Sequence, residues 1–169
     1  MKRPVAALED AAVRLRLLEQ SDLPLTLSWR NQDEIRRWFF HSDKVAPEQH
    51  RAWYDRYREK DDDFVFVIEE LVELRRPVGQ ISLCNVDWAA RRCEYGRLIV
   101  GDAEARGRGL GRAATRLVLR QAFEVFVLDE VYLEVFASNA PAIAIYEACG
   151  FRRTEEREDV VCMAIRRPA

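Results

Sequence analysis

The chain is poor in lysine. Only Lys2, Lys44 and Lys60 occur, against many arginines, and no Gly-Lys pair exists. That absence excludes a Walker phosphate loop, which needs GxxxxGK[ST]. Histidine occurs only at His41 and His50, and neither is spaced as a ligand beside Cys84, Cys93, Cys149 or Cys162. There is no CxxC pair, and three of these cysteines sit in apolar segments, where a reduced thiol behaves as a small hydrophobe. Neither a metal site nor a disulfide framework is expected. No apolar run approaches the roughly 20 residues of a membrane span, and nothing after Met1-Lys2-Arg3 reads as a signal peptide. The expectation is a cytoplasmic protein with no membrane partner. The formal net charge is −2, so the broad basic field of a nonspecific nucleic-acid binder is missing, and no nucleic-acid partner is expected.

The remaining composition is that of a globular protein: 169 residues, 49% hydrophobic and 33% charged. This length suits one domain that buries about two-thirds of its unfolded surface. Residues 1–12 read as an N-terminal extension and 13–169 as a single domain. Val13, Leu15 and Leu17 alternate with arginines as in a first strand. Ser21-Asp22 opens a helix with Pro24 in its first turn, running to about Trp29. A second helical stretch holds Ile35, Trp38 and Phe39, and a third starts near Pro47 and carries Trp53, Tyr54 and Tyr57. Strands are predicted over 64–68, from Pro77, over 94–100 and over 131–136. Between the last two, Gly109 to Val127 keeps the three- and four-residue spacing of one buried helical stripe. A short helix over 140–148 stops at Gly150, and two short strands finish the chain. The pattern is α/β (α+β), with helices early, strands in the middle and a β-α-β-α-β tail.

The hexapeptide Arg106-Gly107-Arg108-Gly109-Leu110-Gly111 links the strand ending Leu98-Ile99-Val100 to the longest amphipathic segment. A strand that turns through glycines into a helix presents unpaired N–H groups at the positive end of the helix dipole, an anion site. A dinucleotide GxGxxG fails because Arg112 stands where the third glycine belongs. The pattern [R/Q]xxGx[G/A] is satisfied by Arg106, Gly109 and Gly111. Further on stands Asn139-Ala140-Pro141-Ala142-Ile143-Ala144-Ile145-Tyr146-Glu147-Ala148-Cys149-Gly150-Phe151.

Together the two segments resemble the GCN5-related N-acetyltransferase (GNAT) superfamily, over roughly residues 13 to 166. The resemblance implies a mixed sheet of about six to seven strands, splayed at the coenzyme site and flanked by about four helices. It implies acetyl-CoA as cofactor and a small-molecule amine as acceptor; a homodimer is an admissible assembly. Amides from Gly107 through Arg108, Gly109, Leu110 and Gly111 to Arg112 would bind the pyrophosphate, with Arg106 and Arg112 adding charge. Leu98, Ile99 and Val100 would pair with pantetheine as a peptide augments a sheet edge, with Ala142 beside it. Asn139 matches the family's pantetheine-contacting Asn, and is also a good helix N-cap. Tyr146 matches the Tyr proposed to protonate the departing thiolate, and is also readable as a core aromatic.

Acetyl transfer needs a neutral amine, so a carboxylate base is useful. Glu134 sits mid-strand among apolar residues, on the same strand face as Tyr132 and Phe136, where desolvation would raise its pKa, and it is the preferred candidate. Glu94 opens the strand that leads to the glycine loop, where many superfamily members place a catalytic carboxylate. Either is also readable as a surface or ion-paired glutamate. For the acceptor, the N-terminal helices and middle strands hold Trp29-Arg30-Asn31, Arg37-Trp38, His50-x-x-Trp53 and Asn85-Val86-Asp87, and the first three of these resemble the PseH-type acetyltransferases of nucleotide-linked amino sugars. That resemblance implies acceptor contacts from Trp29, Arg30, Asn31, Trp38, His50, Asn85 and Asp87. RimJ/RimL-type protein N-terminal, polyamine and aminoglycoside enzymes share the layout, and a noncatalytic acyl-CoA-binding module would keep the loop alone.

Overall fold

The computed structural model describes residues 1–169. Eight strands form one sheet in the order β1-β2-β3-β4-β5-β6-β8-β7. They are β1 (Leu8–Glu9), β2 (Val13–Leu17), β3 (Phe64–Glu70), β4 (Pro77–Asp87), β5 (Arg92–Val100), β6 (Glu130–Phe136), β7 (Arg152–Arg157) and β8 (Val160–Arg166). Five helices accompany them: α1 (Leu23–Arg30), α2 (Asp33–Arg36), α3 (Pro47–Tyr57), α4 (Leu110–Arg120) and α5 (Ala140–Ala148). The sheet exceeds the expected strand number because Leu8–Glu9 adds a two-residue edge strand, antiparallel to β2.

β3 is apolar from Phe64 to Ile68 because both of its faces are covered there. Phe64, Phe66 and Ile68 enter a cluster with Leu117 and Val118 of α4. The alternate residues Val65 and Val67 enter a second cluster with Leu23 of α1 and Tyr57 of α3. The period-2 pleat of one strand therefore divides the molecule into two layers of helix on one sheet.

Two elements are shorter than their patterns suggest. The helix predicted over 109–127 is α-helical only to Arg120, and Gln121–Val125 forms a π turn. The Phe126 amide donates to the Gln121 carbonyl (2.9 Å), and Val127 is left-handed (φ 56°). One wide turn barely rotates the stripe, so Ala122 and Phe126 remain buried and periodicity cannot distinguish it. The second helical stretch stops at Arg36; Trp38 and Phe39 lie in i,i+3 turns beyond it.

β5 and β6 make the parallel pair of the sheet, and they pair only over Arg92–Glu94 against Glu130–Tyr132. Beyond that point β5 stays with β4 and β6 stays with β8. The sheet splits there into a V, and the glycine loop and the start of α5 lie at its open end.

Candidate active site

The split opens into a cleft of about 950 Å³. Leu98, Ile99 and Val100 of β5 line one wall, Leu133, Glu134 and Val135 of β6 the other. The loop between β5 and α4 closes one end. Gly107 (φ +73°) and Gly109 (φ +75°) are both left-handed, and no heavy atom lies within 4 Å of where a Cβ would stand on either. Gly109 is the N-cap of α4 and offers no side chain, so the first-turn amides carry no side-chain cap. An open, uncapped helix start with its backbone facing a cleft fits a pyrophosphate. Gly111 serves packing: a Cβ there would stand 3.2 Å from Ile145 Cδ1 of α5.

The three loop arginines part company. The Arg106 guanidinium donates to Gln32 Oε1 (2.6 Å), Glu34 Oε1 (3.1 Å) and the Val100 carbonyl (3.2 Å), tying the loop to the start of α2. Arg112 lines the cleft. Arg108 turns away from it, donating to the Glu104 carbonyl (2.7 Å) and pairing with Glu73 (2.5 Å).

α5 lays Asn139, Ala142 and Tyr146 along the cleft. Asn139 Oδ1 accepts from the Ala142 amide at 3.4 Å, so Asn139 does cap the helix while facing the cleft. Tyr146 is buried, and that burial pushes its hydroxyl up to about 12. It stays protonated at neutral pH, the state a proton donor needs.

Both carboxylate candidates reach the cleft, and both have polar partners there. Glu134 is exposed and ion-paired with Arg157 at 2.7 Å. Its strand is apolar on the core face; Glu134 belongs to the opposite face with Tyr132 and Phe136. Glu94 is half-buried and accepts from Asn85 Nδ2 at 2.7 Å.

Of the acceptor residues expected from sequence, the cleft gathers Trp38 and Asn85. Trp29 is buried against Gly101, where a Cβ would meet its ring at 2.0 Å. Arg30 stacks on Phe39 (4.2 Å) and donates to the His41 carbonyl. Asn31 holds Val45 by two bonds, 2.8 and 2.9 Å. Arg30 and Asn31 therefore hold the segment 39–45, and it is Phe39, Phe40 and His41 of that segment that line the cleft. Asp87 caps its own turn through Ala90 (2.8 Å). His50 stacks on Trp53 and borders a separate hollow between α1 and α3, which has no glycine loop.

Sequence reasoning missed Phe40, His41, Tyr95 and Arg97, all of which line the cleft. Tyr95 was legible in principle, since it shares strand parity with the apolar Cys93. Arg97 gave no signal: it stands at a bulge, and a bulge shifts parity without marking the sequence.

A split parallel pair, a glycine turn into an uncapped helix and a second helix along the opposite wall define an acyl-coenzyme A-dependent transferase. The chain belongs to the acetyltransferase (GNAT) domain family, whose model matches residues 12–152, and it is an N-acetyltransferase that uses acetyl-CoA. Spermidine N(1)-acetyltransferase of Escherichia coli (strain K12) is 30% identical over 140 residues, covering 83% of this chain and 73% of that protein. Acetyltransferase PseH of Campylobacter jejuni is 22% identical over 148 residues, covering 86% and 88%. The fold is shared with the Vibrio cholerae spermidine N-acetyltransferase solved in complex with CoA and spermine: TM-score 0.83, 24% identity, 93% of this chain and 96% of that one. No helix is long and apolar enough to cross a membrane.

Proposed function

We propose that the acceptor is a primary amine of a polycationic aliphatic compound of the polyamine type. The observation that carries this reading is the pair of carboxylates, Glu94 and Glu134, lining the acceptor part of the cleft together with Trp38 and Phe40. Carboxylates beside aromatic walls suit ammonium groups on a methylene chain. A nucleotide-linked amino sugar needs cations for its diphosphate. The arginines beside this part of the cleft already have partners: Arg97 pairs with Asp63 (2.7 Å), Arg157 with Glu134 (2.7 Å), and Arg30 donates to the His41 carbonyl. The 30% identity to an Escherichia coli spermidine acetyltransferase points the same way. The amino-sugar acceptor expected from Trp29-Arg30-Asn31 has less behind it, since those residues support the cleft wall from outside.

Acetyl-CoA supplies the activated thioester. The amides of Gly107 to Arg112, with the Arg112 side chain, would hold its pyrophosphate while Arg106 braces the loop against Gln32 and Glu34, and Leu98 to Val100, Asn139 and Ala142 would receive the pantetheine arm. An alkyl ammonium with pKa near 10 must lose a proton before it attacks. Glu94, carrying only a neutral Asn85 partner, takes that proton directly or through water, while Glu134 with its Arg157 partner contributes attraction for the acceptor's remaining charge. The amine nitrogen bonds to the carbonyl carbon, the C–S bond breaks with its electron pair leaving on sulfur, and the Tyr146 hydroxyl gives its proton to that sulfur; the proton shed by the new amide nitrogen passes through water back to the Tyr146 oxygen.

The test is thiol release from acetyl-CoA across spermidine, spermine, UDP- and TDP-amino sugars, aminoglycosides and N-terminal peptides. Polyamines are expected to give the highest kcat/KM, by about a hundredfold over the amino sugars. A preference for a nucleotide-linked amino sugar overturns the proposal.

A further inference from the structure

Arg97 lies inside β5 with a left-handed backbone, φ 53°. The β4–β5 register shifts between Gln80 and Ser82 at this point, so Arg97 is the extra residue of a bulge. The bulge falls between Tyr95, which packs on Tyr146, and Leu98, the first residue of the coenzyme wall. It therefore sets how that wall is aimed relative to the tyrosine. A left-handed arginine within a strand is unfavourable by itself, because Cβ crowds its own carbonyl. Something outside the strand must hold it.

That tether is visible. The Arg97 guanidinium forms a two-pronged contact with Asp63, Nη1 to Oδ1 at 2.7 Å and Nη2 to Oδ2 at 3.3 Å. Asp63 is buried and immediately precedes β3, so it is anchored by a strand that is buried on both faces. The guanidinium also lies 5.8 Å from the Trp53 ring centroid of α3. On the strand itself, the Gly96 carbonyl accepts from Ser82 Oγ at 3.0 Å. Lys2 donates to the Asp63 carbonyl, leaving the carboxylate to Arg97.

We propose that Asp63 is a positioning residue for acetyl transfer: it acts through Arg97 to hold the left-handed bulge that aims the coenzyme wall. It touches neither substrate, and its effect is on the alignment of reacting groups. Binding depends on the loop and on the edge of β5 as a whole, whereas turnover depends on the placement of the reacting carbonyl within the cleft.

The test uses glycine, which adopts the left-handed region without a tether. Asp63→Asn is expected to lower kcat about tenfold or more, with the acetyl-CoA KM changed less than about threefold. Adding Arg97→Gly to that variant removes both the strain and the unpaired guanidinium, and is expected to recover most of the lost kcat. A merely structural pair would not respond this way, because removing a second buried partner would not restore turnover. A double variant as slow as Asp63→Asn overturns the proposal, as does an Asp63→Asn enzyme with wild-type kcat. If Asp63→Asn does not accumulate as folded protein, Asp63→Ser with and without Arg97→Gly carries the same comparison.

Discussion

Tyr146 packs edge-on against Tyr95, with ring centroids 5.2 Å apart and planes at 76°. Tyr95 is fixed in turn, its hydroxyl 2.8 Å from Thr115 Oγ1, which donates to the Gly111 carbonyl at 2.7 Å. Phe151 closes the cluster at 5.9 Å from Tyr146. The proposed proton donor thus stands on an aromatic base that is pinned to the helix behind the glycine loop. Tyr146→Phe keeps this packing and removes only the hydroxyl. It is expected to lower kcat by about tenfold or more while leaving the acetyl-CoA KM nearly unchanged. Steady-state kinetics at saturating acceptor check this, and unchanged turnover would remove the acid role.

The glycine loop gives a second prediction, about coenzyme affinity. Gly109 has room for a side chain but a left-handed backbone. Gly109→Asp adds a negative charge where pyrophosphate is expected, so the acetyl-CoA KM should rise by about tenfold or more. The backbone strain costs about 1 kcal/mol, too little to unfold a typical domain. Equal coenzyme affinity in the variant, measured by calorimetry, would move the pyrophosphate site elsewhere.

The two carboxylates should separate kinetically. Glu94→Gln is expected to lower kcat about a hundredfold, with the loss shrinking as pH rises and free amine becomes available. Glu134→Gln is expected to raise the acceptor KM with little change in kcat. Because Arg157 neutralises part of Glu134 at 2.7 Å, Arg157→Ala should lower the KM for a polycation. The pH profiles of kcat for the three variants decide between the roles.

Trp29 should behave as a core residue. It is 4% exposed and fills the space a Cβ on Gly101 would need. Trp29→Ala is expected to cost about 3–5 kcal/mol of stability. At temperatures where the variant remains folded, its ranking of acceptors should match that of the parent. A changed ranking would return Trp29 to the acceptor site.

Acid stability should depend on Glu70. Burial opposes its charge, but the amides of Val72, Leu74, Glu73 and Arg75 all donate to its carboxylate and lower it to about 2 from an ordinary 4.5. The group binds its proton less readily folded than unfolded. Its contribution is therefore complete above pH 4.5 and is lost as the pH falls toward 2. Denaturant unfolding across that range should show the loss, and Glu70→Gln should flatten it. The turn that Glu70 organises also carries Glu73, the partner of Arg108 beside the glycine loop, at 2.5 Å.

What the sequence by itself determined is local. Two short patterns, Arg106 to Gly111 and Asn139 to Phe151, specify a turn into a helix and a capped helix, and each is written in consecutive residues. The alternation of β2 and β6 and the apolar run of β3 are equally local, so most elements were legible. Where the chain's own periodicity is blind, it misled: the π turn after Arg120 keeps the buried stripe. The alternation of β6 does put Glu134 on one face with Tyr132 and Phe136, but alternation cannot say that this face is open and carries Arg157 as a partner. Tertiary structure alone decided which side chains face the cleft. Trp29, Arg30 and Asn31 look like a recognition triplet, yet one is core and the other two brace the segment carrying Phe40 and His41. The divergence of β5 from β6 after three paired residues, and the tether of Arg97 by Asp63 across 34 positions of chain, involve partners distant in sequence. No local pattern encodes such contacts, because they exist only once the sheet has brought the strands together.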